Sequence, residues 1–246
     1  MLLRSLTKHV KDQNWFAVFL DFFIVVTGIL IAFQITNWNE GRTDNKRVER
    51  HLENIVGDLR LDIITIEEVI KTGEWRHSAI HTVLKRAGKP LPTEFETPRG
   101  EIIEMRDFPA FESKLPSTAN SALIWTETLE VNRSGYESLI NSGDLQLIKK
   151  NDLGPKIQAY YARINDSEGW DENQDEIRDS IRSSQFRLGS RFGHTSLEEL
   201  IELVRNDQKF AAELTTLSIY DTFQADRMRS VAAQAKALIT VIEETR

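Results

Sequence analysis

The sequence contains no cysteine and little proline, and each shortage excludes particular structural features. Without cysteine in its 246 residues, the chain forms no disulfide and no thiolate metal site, and this composition suits a periplasmic protein slightly better than a cytosolic one. Three of the six prolines, Pro90, Pro92 and Pro98, fall between residues 87 and 100. That segment cannot be the interior of a helix, so we predict a loop or a hairpin there.

Sequence signatures of catalysis and of cofactor binding are also missing. The chain has no Walker loop, no G-x-G-x-x-G and no G-x-S-x-G. We therefore predict no catalytic residue, no cofactor and no enzymatic activity. The net charge of −7 argues against nucleic acid as a partner, because phosphate backbones attract basic surfaces.

The best candidate for a metal site is formed by Glu74, His77 and His81. Histidines four residues apart share a helix face, and Glu74 lies one turn before them. The general base that metalloproteases hold between two such histidines is absent from this sequence. We interpret the histidines as solvated or partner-facing side chains and predict no metal.

The one long apolar run lies between Trp15 and Trp38. Its 24 residues include one carboxylate, Asp21, and no Lys or Arg. As a helix it would extend about 36 Å, enough to cross a hydrocarbon layer of about 30 Å. Tryptophan at both ends is typical of the membrane interface, to which we assign Trp15 and Trp38. A cleaved signal is disfavoured, because the run is long and lacks a small-x-small cleavage site, and a buried core helix is the other alternative. We predict an uncleaved transmembrane helix over residues 15–38.

Basic residues flank the apolar run in nearly equal numbers on its two sides. Residues 1–14 form a short basic segment, which favours a cytoplasmic N-terminus. We therefore expect a single-pass protein of the bacterial inner membrane, with the C-terminal domain in the periplasm.

Polar and small residues within the apolar run form two stripes on a helix that turns about 100° per residue. The first stripe consists of Asp21, Gly28, Ala32 and Asn39. The second stripe consists of Thr27, Gln34 and Trp38. Small residues let helix backbones approach, and amides and carboxylates in lipid seek partners. We predict that helices interact through Asp21, Gly28, Ala32, Gln34 and Asn39. In the alternative interpretation, Asp21 reaches towards the interface and Gly28 has no role in contact.

After the apolar run, the sequence predicts helices and no sustained alternation of the kind that marks strands. A long amphipathic, coiled-coil-like helix is predicted over residues 39–86. Its apolar stripe is Val48, Leu52, Ile55, Leu59, Ile63, Ile66 and Ile70. Residues 87–116 form a proline-rich loop and a short element that Pro109 ends, and residues 117–246 form a helical domain. The predicted fold class is all-α: a single transmembrane helix, a long amphipathic helix and an extracytoplasmic helical bundle.

Local signals place helix ends within the helical domain. A helical block begins near Ser117 and covers residues 119–130, and a short helix ends at Gly143. The predicted N-terminal caps are Asp152, a capping box at Ser196 and Glu199, and Asp207. Four aromatic residues offer either a ligand pocket or, as such spacing favours, bundle core: Trp125, Tyr136, Tyr160 and Tyr161.

Two stretches of the sequence resemble a family of uncharacterised bacterial single-pass membrane proteins. The first is GILIAFQITNWNE, residues 28–40, in which Gly28–Ala32, Gln34, Trp38, Asn39 and Glu40 match the family's pattern and Thr36 replaces an expected Asn. The second is YESLINSGDLQLIKKNDLGPKIQAYY, which matches at Tyr136, Leu139, Ser142, Gly143, Leu145 and Ile148. The resemblance implies a short basic N-terminus, a membrane anchor and a helical extracytoplasmic region, and it assigns no activity.

These features together predict a membrane-anchored structural or interaction subunit. Its expected partners are the lipid bilayer and either further copies of the chain or other subunits of a larger bacterial membrane complex. The alternative is an extracytoplasmic ligand-sensing helical domain. The 14 residues before the apolar run are too few for an output domain, so such a sensor would signal through a partner.

Overall fold

The computed structural model describes residues 15–96, 100–105, 111, 118–148 and 152–245, and these are almost entirely helical. The helices are α1 Trp15–Arg86, α2 Thr118–Ala122, α3 Ser134–Asn141, α4 Leu153–Arg187, α5 Leu197–Asn206 and α6 Gln208–Thr245, with a 3₁₀ helix at Asp144–Leu147. Strands β1 Glu94–Glu96 and β2 Ile102–Glu104 pair antiparallel. The all-α class is confirmed, and a small hairpin begins within the proline-rich segment. Pro109 lies outside the described residues.

The chain divides into two compact units, residues 1–50 and 51–246. In the first unit the described residues form a helix whose large apolar side chains are exposed, including Phe16 at 73%, Phe33 at 64% and Trp38 at 67%. By length and composition this stretch suffices to cross a membrane, and none of it is buried. The alternative of a buried core helix is therefore wrong.

In the second unit, α1 packs antiparallel against α6. Three ion pairs link the two helices: Arg60–Glu243 at 2.8 Å, Glu67–Lys236 at 3.0 Å, and Glu74–Arg229. Each step of seven residues forward on α1 is a step of seven backward on α6, which is the spacing of a coiled-coil heptad. The first two pairs are exposed and contribute at most about 1 kcal/mol each, and the third is half-buried, so the main effect of the series is to specify the register.

Helix α4 also packs antiparallel against α6. The polar contacts between them are Arg163–Ser230 at 2.7 Å, Ser167–Arg227 at 3.0 Å and Ser180–Glu213 at 2.6 Å. The apolar stripe on α1 is largely covered. Its buried members are Leu52, Ile55, Leu59 and Ile66, and its half-buried members are Val48, Ile63 and Ile70. A further apolar cluster joins the end of α1 to α2, α5 and the start of α6; its fully buried members include Ile80, Leu84, Leu123, Leu200 and Phe210.

Several predicted helix ends are confirmed. The Ser196 hydroxyl accepts from the Glu199 amide at 3.2 Å, and the Glu199 carboxylate accepts from the Ser196 amide at 2.8 Å, which is the capping box. The Asp207 carboxylate accepts from the Phe210 amide at 2.8 Å. Gly143 follows α3 with a φ of 74°, the left-handed conformation expected after a helix.

Two local predictions are wrong. Asp152 precedes α4, but its φ is 52° and its side chain makes no capping hydrogen bond. The third residue of that helix is Pro155, which has no N–H for a cap to accept. The predicted helical block stops at Ala122. The next residues leave the helix because one side chain of α1 binds their backbone: Arg76 donates to the Trp125 carbonyl.

Candidate functional site

The predicted helix-interaction residues are all exposed on α1 in the first unit: Asp21, Gly28, Ala32, Gln34 and Asn39. A Cβ built at Gly28 meets no atom within 4 Å, so the surface there is open to a neighbouring backbone. Contact between helices at these positions stays a prediction. Trp38 is exposed, as its interfacial assignment requires, and the side chain of Trp15 lies outside the described residues.

Two shallow grooves run along α1 in the first unit and meet at Trp38. The apolar groove is lined by Thr27, Leu30, Ile31, Gln34, Ile35 and Trp38. The polar groove is lined by Asn37, Trp38, Gly41, Arg42, Asn45, Lys46 and Glu49. The Arg42 guanidinium carbon lies 6.0 Å from the centre of the Trp38 ring, within cation–π range. The change from apolar to polar at a tryptophan matches the layering of a bilayer interface.

In the second unit, residues 132–144, which we call the clamp segment, bind two buried carboxylates of α1. Asp62 accepts from the Asn132 amide at 2.8 Å and from the Asn132 side chain at 3.1 Å. Its other oxygen accepts from the Tyr160 hydroxyl at 2.8 Å. One turn earlier, Asp58 accepts from the Ser134 hydroxyl at 3.1 Å and the Gly135 amide at 2.7 Å.

Asp58 therefore caps α3 from another helix. The residue before α3, Arg133, makes no side-chain capping bond, and the Asp58 carboxylate meets the positive end of the α3 dipole instead. The approach is close: a Cβ at Gly135 would lie 2.8 Å from backbone atoms of Asn54 and Ile55. Only glycine fits there without a shift of α3 away from α1.

Burial shifts the pKa of three side chains in and beside this polar cluster, Asp62, Tyr160 and Tyr161. It raises the pKa of Asp62, against the opposing effect of the hydrogen bonds from Asn132 and Tyr160, while the nearby Asp58 raises it further. Burial first and the carboxylates second raise the pKa of Tyr160 and of Tyr161 well above the ordinary value, so both phenols stay neutral. Tyr161 stacks on Tyr136 with ring centres 4.2 Å apart.

The end of the clamp segment brings together a serine, a histidine and an aspartate, but not in the geometry of a catalytic triad. His51 Nε2 lies 3.1 Å from an Asp144 oxygen and 3.4 Å from the Ser142 hydroxyl. In serine hydrolases the carboxylate and the serine meet opposite ring nitrogens, whereas here both meet the same one. The Ser142 hydroxyl also donates to the Leu139 carbonyl at 3.1 Å. This arrangement fastens the clamp segment to α1.

A buried ion pair crosses from α1 to α6. Arg76 and Asp221 are 2% and 1% exposed, and Arg76 Nε donates to the carboxylate at 3.0 Å. Beside them, His77 Nδ1 lies 2.7 Å from the Ser218 hydroxyl. Burial lowers the pKa of His77, and the Ser218 carbonyl and Asp221 partly oppose this.

The residues of the metal candidate have other roles in the structure. His77 is buried, so its interpretation as a solvated or partner-facing side chain is wrong. Glu74 forms an ion pair with Arg229, and the ring of half-buried His81 stacks on His77 at 6.5 Å. Within the described ranges, no group of three or more His, Asp or Glu side chains converges as a metal site would.

A groove near the start of α2 contains two tryptophans. Its lining residues are Glu68, Lys71, Thr72, Trp75, Thr118, Ser121, Trp125 and Glu127. Trp125 is 49% exposed, and Trp75 packs on Phe111 with ring centres 5.7 Å apart. Of the aromatic residues named from the sequence, Tyr160 and Tyr161 are core, whereas Trp125 lines this groove. Indole faces beside carboxylates suit a cationic ligand with an apolar part.

The sequence held a signal for the buried polar residues that our interpretation missed. The core-facing positions of α1 recur at spacings of three and four residues. Asp62 falls in this register between Leu59 and Ile66, so an aspartate occupies a core position. Arg76 continues the same spacing before Ile80. A charged residue in an apolar register marks a buried polar contact, because the packing of the helix leaves it no route to water.

Comparison with known proteins identifies the family of the chain and assigns it no activity. No curated protein and no solved structure matches this chain. A family model matches residues 21–188, a range that contains most of the exposed helix, both carboxylates of the cluster and the whole clamp segment. The chain therefore belongs to the family of unknown function DUF6090.

Proposed function

We propose that the protein is a membrane-anchored interaction subunit, which associates with further copies of itself or joins a larger bacterial membrane complex. Residues 15–38 cross the inner membrane, with the N-terminus in the cytoplasm and the helical domain in the periplasm. The observation that carries this proposal is the exposed apolar surface of α1 in the first unit. A helix whose large apolar side chains are exposed and left uncovered by the described part of its own chain requires lipid or protein around it.

The interaction part of the proposal is supported by the polar and small residues of that helix. Asp21 and Gln34 are exposed within an apolar stretch, where a carboxylate or amide favours a protein partner. Gly28 and Ala32 are spaced as a small-xxx-small pair, and the open surface at Gly28 leaves room for a second helix.

The experiment is a bilayer association assay on the full chain, with energy transfer between labelled copies in vesicles. Gly28→Leu should weaken association because its side chain would hold the helices apart. Asp21→Ala should weaken association by about 0.6–2 kcal/mol if the carboxylate meets a partner. Ile29→Leu, a swap of equal volume at the neighbouring position, is the control. Association of both variants at the parental level would remove the helix contact from the proposal.

The alternative function is a ligand-sensing domain that signals through a partner, and the tryptophan groove favours it. Trp75 and Trp125 provide aromatic faces. The carboxylates of Glu68 and Glu127 outnumber the ammonium of Lys71, so the charge of the groove is net negative. Choline is a suitable probe because quaternary ammonium ions bind such surroundings. A saturable change in tryptophan fluorescence of the full chain, abolished in Trp125→Leu, would support a sensor. An unchanged signal over millimolar choline would count against a cation sensor.

A further inference from the structure

The polar groove on α1 carries two cations that the chain leaves uncompensated. Neither the Arg42 guanidinium nor the Lys46 ammonium has a carboxylate partner in the part of the chain that the structure describes. Of the neighbouring cations, Arg47 pairs with Asp44, and the Arg50 Nε donates to the Lys46 carbonyl at 3.4 Å. Positive charge in the groove is therefore available to a ligand.

The shape of the groove also leaves space for a ligand. Gly41 lies among the lining residues, and a Cβ built there meets no atom within 4 Å. The amides of Asn37 and Asn45 line the same groove and supply further hydrogen-bond donors. At one end lies the exposed ring of Trp38, which the apolar groove shares.

We propose that these two grooves together bind one anionic phospholipid. Arg42 and Lys46 hold its phosphate, and Trp38 lies at the level of its ester groups. An acyl chain follows the apolar groove over Leu30, Ile31 and Ile35. This inference rests on the proposed membrane anchoring. It assigns the face with Gln34 and Trp38 to lipid instead of protein, and it leaves only the stripe with Asp21 and Gly28 to a protein partner.

The two grooves favour a phospholipid over a free anion because they adjoin. A free phosphate would use only the polar groove, whereas a phospholipid uses the cations and the apolar side chains at once. Glu49 lines the far end of the polar groove, where its carboxylate repels negative charge. The phosphate is therefore held near Arg42 and Lys46, which lie closer in sequence to Trp38.

The test is native mass spectrometry of the full chain released from micelles that contain equal amounts of phosphatidylglycerol and phosphatidylcholine. The parent should retain phosphatidylglycerol in preference. Removal of both cations in Arg42→Ala/Lys46→Ala should lower that retention roughly thirtyfold, because each cation near an anionic lipid strengthens binding about fivefold. The matched control is Arg47→Ala/Arg50→Ala, which removes the same charge outside the groove and should retain the lipid.

Two further variants separate shape from charge. Gly41→Leu fills the groove without a change of charge and should reduce retention severalfold, whereas Glu49→Gln should increase it. Circular dichroism verifies that each variant keeps its helix content. An equal loss in the Arg47/Arg50 control, or equal retention of both lipids by the parent, would overturn the proposal. Displacement of the lipid by millimolar inorganic phosphate would show a small-anion site instead.

The same spectra keep this proposal distinct from the proposed function. The mass of each particle reports how many copies of the chain it contains, independently of the lipid bound. A monomer that retains phosphatidylglycerol would contradict self-association and support the lipid site. Recovery of the chain in the soluble fraction without detergent would instead contradict the membrane anchoring on which both rest.

Discussion

The two parts of α1 belong to one helix and meet opposite surroundings. Before residue 51, large apolar side chains are exposed, as in Phe33 at 64%; after it, the equivalent core residues are covered, as in Ile66 at 0%. In the second part, cover comes from the chain's own α4, α6 and clamp segment. Nothing in the described ranges covers the first part in this way, which supports our proposal that lipid or another protein surrounds it.

Polar residues show the same contrast. In the second part, Asp58, Asp62 and Arg76 are buried, and each forms hydrogen bonds with another segment of the same chain. In the first part, Asp21 and Gln34 lie exposed on an apolar helix. The difference supports the proposal that the first part makes its contacts outside the chain, whereas these polar groups of the second part are bound within it.

The largest expected effect is loss of the buried ion pair. Arg76→Met leaves the Asp221 carboxylate buried without its partner and should lower the free energy of unfolding by about 3–5 kcal/mol. Denaturant unfolding of the full chain, followed by circular dichroism, measures this. Adding Asp221→Leu should recover much of the loss, and Arg76→Met should still sediment with membranes. An unfolding midpoint equal to the parent's would refute the role of the pair.

A smaller loss is expected at the contact between the clamp segment and α1. Gly135→Ala places a Cβ against the backbone of Asn54 and Ile55 and should cost about 1–3 kcal/mol of stability. Gly57→Ala is the matched control: this helical glycine has open space, so alanine should stabilise by roughly 0.5–1 kcal/mol. Thermal unfolding of both variants measures these changes. A Gly135→Ala variant as stable as Gly57→Ala would contradict the close approach of α3 to α1.

The smallest effect is a pH dependence that arises from His77. Burial lowers its pKa in the folded state below the ordinary value of 6.5, so below that pH the unfolded chain binds a proton that the folded chain does not. Stability should fall on acidification from this value, by at most about 1.4 kcal/mol per pH unit from this group.

Unfolding of the parent and of two histidine variants, measured across pH 5 to 8, isolates the contribution of His77. His77→Asn should remove it, and His81→Asn, which leaves the buried ring in place, should retain it. Parallel stability curves for the parent and His77→Asn would show that the buried histidine does not couple folding to pH.

Local patterns predicted the helices well where the determining contacts are near in sequence. The capping box at Ser196 and the cap at Asp207 each involve residues three apart, so the sequence alone reveals them. The apolar stripe of α1 was largely right for the same reason, because its period is that of the helix. The all-α class follows from these regularities.

Contacts between distant segments could not be predicted in this way. The helical block ends at Ala122 because Arg76, far away in the sequence, binds the Trp125 carbonyl. The partners of Asp58 and Asp62 were equally out of reach, since nothing local indicates that Asn132 and Gly135 fold onto these carboxylates. Partner residues within the membrane stretch stay predictions, because their contacts would be made outside this chain.

Cysteine labelling tests most directly the claim that the two parts of α1 meet different surroundings. The chain has no cysteine, so Leu30→Cys and Leu61→Cys each introduce one thiol, at positions that are 58% and 52% exposed in the folded chain. In membranes with the inner bilayer intact, a water-soluble maleimide added from the periplasmic side should label Leu61→Cys and leave Leu30→Cys unlabelled until denaturation in detergent. Equal labelling of both thiols in intact membranes would contradict the account.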